Sequence, residues 1–204
     1  MKVFVSSTCY DLREVRNQIQ RFLSSTLGYT PVLSDYNDVF FDPELHTHSS
    51  CVEAVADCDM MILIIGDRFG GKAVSDAYEH LNRDEIQKEL NEDFNDSYEQ
   101  ELFSITQLEV LKAIEIGIPV WTFIDRYVYN DHLTYEKNKS KDFNVTYPNI
   151  EKQETAIYIF EFINLLRKRR IGNSIFTFEH EQDIEEALKK QFAGLLEKGL
   201  KKKS

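Results

Sequence analysis

Six consecutive apolar residues, Met60–Ile65, are followed at once by a glycine-containing polar segment at residues 66–71. An unbroken apolar run of this length is typical of a strand buried on both faces, as in the centre of a parallel sheet. It is far shorter than the roughly 20 apolar residues that span a bilayer. The run therefore predicts the central strand of a globular α/β fold.

Shorter segments on both sides of this run alternate between strand and helix patterns. We predict further strands at residues 3–5, 30–33, 119–124 and 175–178, and helices at residues 12–23, 50–58, 104–115, 156–166 and 184–200. Residues 127–148 are polar and aromatic and less regular in pattern, and no helix or strand is assigned to them. Alternating strands and helices favour parallel pairing through right-handed crossovers. We therefore expect a three-layer α/β fold with a flavodoxin-like parallel sheet in the order 2-1-3-4-5.

The chain is predicted to form a single domain over residues 1–204, because it contains no internal repeat and no linker rich in Pro, Gly or Ser. Residues 76–101 contain ten acidic and two basic residues, a balance of −8 out of the total of −11. We interpret residues 72–103 as an acidic insertion and expect a helical extension from about residue 151. A solvated surface helix, a binding surface for a basic partner and a gate over the pocket all fit this insertion.

The net charge and the cysteine content indicate which binding partners and which cellular compartment to expect. A net charge of −11 argues against nucleic acid and anionic membranes as partners. The three cysteines form no CxxC pair, and the first residues lack the apolar segment of a signal peptide. Both features predict a cytoplasmic protein without a disulfide framework.

Polar residues follow the predicted strands at the positions where ligands bind in open α/β sheets. Hydroxyls, backbone amides, an arginine and aromatic rings would suit a nucleotide or a sugar phosphate. Ordinary turns and helix caps are the alternative interpretation. The predicted ligand-binding residues are Ser6, Ser7, Thr8, Tyr10, Asp35, Gly66, Asp67, Arg68, Phe69 and Thr106.

Glu109 is the strongest candidate for a catalytic residue. It falls in the first turn of the predicted helix at residues 104–115, near the same sheet edge. A carboxylate there could act as a nucleophile or stabilise an oxocarbenium-like centre in glycosidic cleavage. The alternative is structural, because Thr106-x-x-Glu109 also has the spacing of a capping box.

His46, His48 and Cys51 have metal-ligand side chains at close spacing. Zinc sites normally need a fourth ligand, and none is nearby in the sequence. We therefore predict a loop here and no metal.

Three motifs together resemble an uncharacterised TIR-like domain family, whose members are often fused to STAND-type NTPases. They are the opening KVFVSST followed by Tyr10-Asp11-Leu12, the segment ILIIGDRFG at residues 62–70, and Thr106-x-x-Glu109. The resemblance covers nearly the whole chain. That family is similar in turn to TIR domains and to nucleoside 2-deoxyribosyltransferases.

The resemblance implies a function at Glu109. The transferase motif is matched here by Thr106, Glu109, Ala113, Gly117, Pro119 and Val120. In those enzymes the glutamate attacks or stabilises the anomeric carbon, which implies cleavage of an N-glycosidic bond in NAD or a related nucleotide, with no further cofactor. The resemblance also implies homo-oligomers or a partner signalling protein, and a role in defence or stress signalling.

One departure from the transferase pattern keeps a second interpretation open. Phe103 and Ile105 stand where the transferases have Asp and Gly. The tryptophan often found just ahead of the TIR glutamate is also missing. The alternative is a non-catalytic sensor or adaptor module.

Overall fold

The computed structural model describes residues 1–8, 12–90, 102–140 and 145–201. Within them, five parallel strands form one sheet in the order β2-β1-β3-β4-β5. The strands are β1 (Lys2–Ser7), β2 (Thr30–Val32), β3 (Met60–Ile65), β4 (Val120–Asp125) and β5 (Ile175–Phe178). The predicted fold class and strand order are confirmed.

The described helices cover both faces of the sheet. They are α1 (Arg13–Arg21), α2 (Thr47–Ala54), α3 (Ser75–Tyr78), α4 (Arg83–Glu89), α5 (Ile105–Glu115), α6 (Arg126–Asn138), α7 (Ala156–Arg167) and α8 (Glu181–Lys201). A π-helical turn, Phe22–Thr26, extends α1, and 3₁₀ turns lie at Ser34–Tyr36, Val55–Asp57 and Gln153–Thr155. None of these helices is long and apolar enough to cross a membrane.

The alternation of side chains along the strands divides the core in two. On one face, Phe4, Met61 and Leu63 pack against α2, α5 and α7. On the other face, Val5 and Ile62 pack against α1 and α8. All six residues of β3 are buried, because both faces of the central strand are covered. This is the three-layer arrangement that the continuous apolar run predicts.

Helix α6 occupies part of residues 127–148, a segment for which the sequence predicted no helix or strand. Asp125 caps the helix by accepting hydrogen bonds from the backbone N–H groups of Tyr127 at 2.8 Å and Val128 at 3.2 Å. Val128, His132 and Tyr135 are buried at helical spacing. The pattern was missed because this buried face contains a histidine and a tyrosine in place of aliphatic residues.

The start of α2 also differs from the prediction, which began this helix at residue 50, whereas α2 begins at Thr47. The cap is His46, whose Nδ1 accepts a hydrogen bond from His48 N–H at 3.1 Å. His48 Nδ1 in turn accepts from Val74 N–H at 3.4 Å. Both histidines thus serve as acceptors for backbone amides, and among the described residues no cluster of three His, Cys, Asp or Glu could hold a metal.

The two ends of the acidic insertion lie side by side. Lys72 and Ser104 form an antiparallel bridge, and Ala73 N–H donates to Phe103 O at 3.1 Å. Helices α3 and α4 belong to the insertion, whereas residues 91–101 lie outside the described residues. The insertion therefore starts and ends at the point where β3 leads towards α5.

Candidate functional site

A cleft of about 440 Å³ lies at the carboxyl ends of β1 and β3. This volume falls within the range of roughly 300–1,000 Å³ that is usual for small-molecule pockets. We call it the β1–β3 cleft. Its walls come from the ends of these strands, the start of α5 and the turn before α7, and include Ser7, Thr8, Arg68, Phe69, Thr106 and Lys152.

Five of the predicted ligand-binding residues meet in this cleft: Ser7, Thr8, Arg68, Phe69 and Thr106. Gly66 lies in a smaller, mostly apolar pocket that shares Thr8, Arg68 and Phe69 with the cleft. Tyr10 lies outside the described residues. The structure thus brings the residues after β1 and β3 together with the N-terminus of α5.

Close packing of the loops after β1 and β3 depends on Gly70. Its φ of +87° lies in the region that favours glycine. A Cβ at this position would lie 3.1 Å from Thr8 Cγ2. The absence of a side chain at Gly70 therefore allows these two walls of the cleft to approach each other.

Glu109 lies beneath this region, one helical turn beyond Thr106. Its side chain is buried, with 5% of the residue exposed, and does not line the cleft. Ser6 Oγ donates a hydrogen bond to Glu109 Oε2 at 2.5 Å. Burial raises the pKa of Glu109 to about 7, although the Ser6 hydrogen bond and the charge of Arg16 partly oppose the shift.

The predicted capping role of Glu109 is wrong, and so is its placement in the first turn. Ser104 is the N-cap of α5: its Oγ accepts from Gln107 N–H at 3.3 Å, while Gln107 Oε1 accepts from Ser104 N–H at 2.8 Å. The capping box therefore starts two residues earlier than Thr106. Glu109 follows the first turn, and its carboxylate faces Ser6 on β1.

Arg16 is a buried member of the site region that sequence reasoning missed. It is 1% exposed, and its Nη1 donates to Ser7 Oγ at 2.7 Å. Its Nε donates to Asp35 Oδ2 at 3.2 Å, and Nη2 donates to Asp35 Oδ1. Asp35, which we predicted to contact ligand, thus holds a buried arginine. A signal was present, because Arg16 stands at helical spacing between Leu12 and Ile19 on the apolar face of α1.

The turn before α7 was also missed by the sequence analysis. Glu151 N–H donates to the backbone carbonyl of Asp67 at 3.0 Å, and the Glu151 carboxylate pairs with Arg68 Nε at 3.0 Å. Asp67 therefore contributes its backbone to holding this turn in place. These contacts bring Lys152 to the edge of the cleft.

A family model for a domain of unknown function, DUF4062, matches residues 2–193. The chain belongs to the DUF4062 family. No curated protein and no solved structure matches this chain. All the residues that line the β1–β3 cleft fall within the part of the chain that the DUF4062 model covers.

The β1–β3 cleft of this DUF4062 protein brings together side chains that can contact different parts of one ligand. Ser7 Oγ donates to Thr8 O at 3.1 Å and accepts from Arg16, which leaves it one acceptor lone pair for a ligand hydroxyl. Arg68 supplies a cation, and Phe69 supplies an aromatic side chain at the cleft. These groups can bind sugar hydroxyls, an anion and a flat ring.

Proposed function

We propose that this DUF4062 protein binds a nucleotide-type ligand in the β1–β3 cleft. The observation that supports the proposal best is the convergence of hydroxyls, an arginine and an aromatic ring in one cavity of about 440 Å³. The location agrees with the rule that ligands of open α/β sheets bind outside the carboxyl ends of the strands. The resemblance to TIR-like domains points to the same edge of the sheet.

Binding is tested by calorimetric titration with NAD, NADP, nucleosides and nucleotides. We expect Arg68→Gln to weaken binding of a phosphorylated ligand about tenfold, because a charge-assisted hydrogen bond is lost. Arg126→Gln is the matched control, since Arg126 also forms an ion pair, with Glu179 at 2.7 Å, but does not line the cleft. Equal affinity for Arg68→Gln and wild type would contradict this role of Arg68.

Cleavage of an N-glycosidic bond is the further activity that we propose for this site. Two observations favour it: Glu109 lies one turn from Thr106, which lines the cleft, and its pKa of about 7 suits a group that changes protonation near neutral pH. The carboxylate would attack or stabilise the anomeric carbon as its bond to the base breaks and the base leaves, and water would then add to that carbon. Because Glu109 itself does not line the cleft, cleavage requires a displacement that brings the carboxylate to the ligand.

Mass spectrometry of the products tests cleavage, with NAD, NADP and nucleotides as substrates at high protein concentration. We expect wild type to release free base, with a rate that rises with pH through about 7 as Glu109 ionises. Glu109→Gln should release none, whereas Glu186→Gln, which changes an exposed carboxylate on α8, should match wild type. Release of base by Glu109→Gln at the wild-type rate would exclude Glu109 as the catalytic carboxylate.

A non-catalytic sensor is the second candidate function, and the burial of Glu109 favours it. A ligand bound without release of base would support a sensor or adaptor, in which Glu109 is a structural group under the cleft. Assembly into homo-oligomers or with a signalling partner, cytoplasmic location and a role in defence or stress signalling are parts of the same proposal. They rest on the TIR-like resemblance and on composition.

A further inference from the structure

The charged groups around the β1–β3 cleft have a distribution unlike that of the whole chain. The protein has a net charge of −11, yet among the described residues that line the cleft there are two cations, Arg68 and Lys152, and one carboxylate, Glu151. His48, which also lines the cleft, is shifted towards its neutral form, because burial and the neighbouring His46 lower its pKa. The described part of the cleft lining thus has more positive than negative side chains, in a protein that is acidic as a whole.

The carboxylate of Glu151 forms an ion pair with Arg68 in this structure. The Glu151 Oε2 to Arg68 Nε distance is 3.0 Å, and both side chains are partly exposed to solvent. A separate backbone hydrogen bond, from Glu151 N–H to Asp67 O, holds the turn. An incoming anion can therefore take the place of the carboxylate on Arg68 without releasing the turn. Lys152, the next residue, adds a second cation at the same wall.

We infer that the ligand carries phosphate, that Arg68 and Lys152 hold this phosphate, and that Glu151 is an internal anion which the phosphate displaces. This inference rests on the proposed nucleotide binding and names its ligand class as nucleotides, which should bind in preference to unphosphorylated nucleosides. Two cations placed together bind a phosphate more strongly than either binds a neutral sugar.

The two neighbouring residues should have opposite effects when their charges are removed. Lys152→Gln removes a cation and should weaken nucleotide binding about fivefold. Glu151→Gln removes the competing carboxylate and its repulsion, and should tighten nucleotide binding about threefold. The backbone bond to Asp67 does not depend on the Glu151 side chain and is kept in this variant. Neither change should alter the affinity for a nucleoside by more than about twofold.

The experiment is a calorimetric titration of the full chain with the four ribonucleosides and their 5′-monophosphates and 5′-diphosphates. Lys190→Gln serves as the control variant, because Lys190 is exposed on α8 and does not line the cleft. We expect each nucleotide that binds to bind at least tenfold more tightly than its nucleoside. The ratio of the affinity for a nucleotide to the affinity for its nucleoside should be smaller than in wild type in Lys152→Gln and larger in Glu151→Gln. It should be unchanged in Lys190→Gln.

The outcomes separate this inference from the function on which it rests. Equal binding of nucleosides and nucleotides would overturn the inference and leave the proposed nucleotide-type binding intact. Equal effects of Lys152→Gln on nucleosides and nucleotides would overturn the role of Lys152. Binding of none of these compounds would overturn the proposed function and the inference together.

Discussion

Glu109→Gln is expected to stabilise the protein at alkaline pH. The wild-type carboxyl has a pKa of about 7 in the folded state against an ordinary value of 4.5. The folded state therefore binds more protons than the unfolded state between these values, and this group destabilises the fold as pH rises through that window. A neutral amide avoids the cost, and its oxygen can still accept the hydrogen bond from Ser6.

The expected gain in the free energy of unfolding is about 3 kcal/mol at pH 8 and about 1 kcal/mol at pH 5.5. Urea unfolding of wild type and Glu109→Gln at the two pH values measures this gain. The lower of the two pH values stays above the sequence pI of about 5.0. Glu186→Gln, which changes an exposed carboxylate, should match wild type at both values. A Glu109→Gln protein that is less stable than wild type at pH 8 would show that the ionised carboxylate is stabilised in the fold.

A gain in stability in Glu109→Gln would also help to distinguish the two candidate functions. A buried carboxylate that costs stability is typical of groups whose chemistry is used at an active site. Stabilisation by Glu109→Gln together with loss of base release would favour the catalytic interpretation. Stabilisation without any released base from wild type would favour the sensor interpretation.

The Arg16–Asp35 pair is the second site where we expect a large effect. The Arg16 side chain is 1% exposed, whereas 27% of the Asp35 side chain is exposed. Water can therefore solvate Asp35 after the loss of its partner, but it cannot solvate the buried guanidinium of Arg16 in the same way. We expect Asp35→Asn to cost about 3 kcal/mol, because it removes a charged acceptor from a buried cation. Arg16→Met should cost about 2 kcal/mol, because water can reach the remaining carboxylate.

A double-mutant cycle tests whether the two residues act as a pair. The double variant should lose less than the sum of the single variants, with a coupling energy of at least about 1.5 kcal/mol. The exposed pair Arg126–Glu179 is the matched control, and its coupling should stay below about 1 kcal/mol. Additive losses at Arg16 and Asp35 would mean that the pair contributes no specific interaction to the fold.

The centre of the sheet could be predicted because β1, β3 and most of β4 are buried on both faces and leave continuous apolar runs in the sequence. Met60–Ile65 is the clearest example, and the alternation of strands and helices indicated that the strands pair in parallel. Helix α6 could not be predicted in this way, since its buried face contains His132 and Tyr135. Cap residues were also misassigned, because Thr106-x-x-Glu109 and Ser104-x-x-Gln107 both have capping spacing and only packing decides between them.

The site was predictable as far as it follows the ends of the strands. Residues at the end of β1 and in the segment after β3, including Ser7, Arg68 and Phe69, do line one cleft. Lys152 is brought there by contacts between distant parts of the chain, which no local pattern records. The role of Asp35 was misjudged for a similar reason, because its partner Arg16 lies 19 residues away.

Chemical-shift mapping of the isotope-labelled protein during titration with NAD and with the nucleotides tests the central claim most directly. We expect the amide signals of Ser7, Thr8, residues 66–71 and Thr106 to shift together and to saturate. Signals at the opposite edge of the sheet, such as Lys2 and Asp57, should stay in place. Shifts confined to that opposite edge, or no saturable shift with any of these compounds, would contradict nucleotide binding in the β1–β3 cleft.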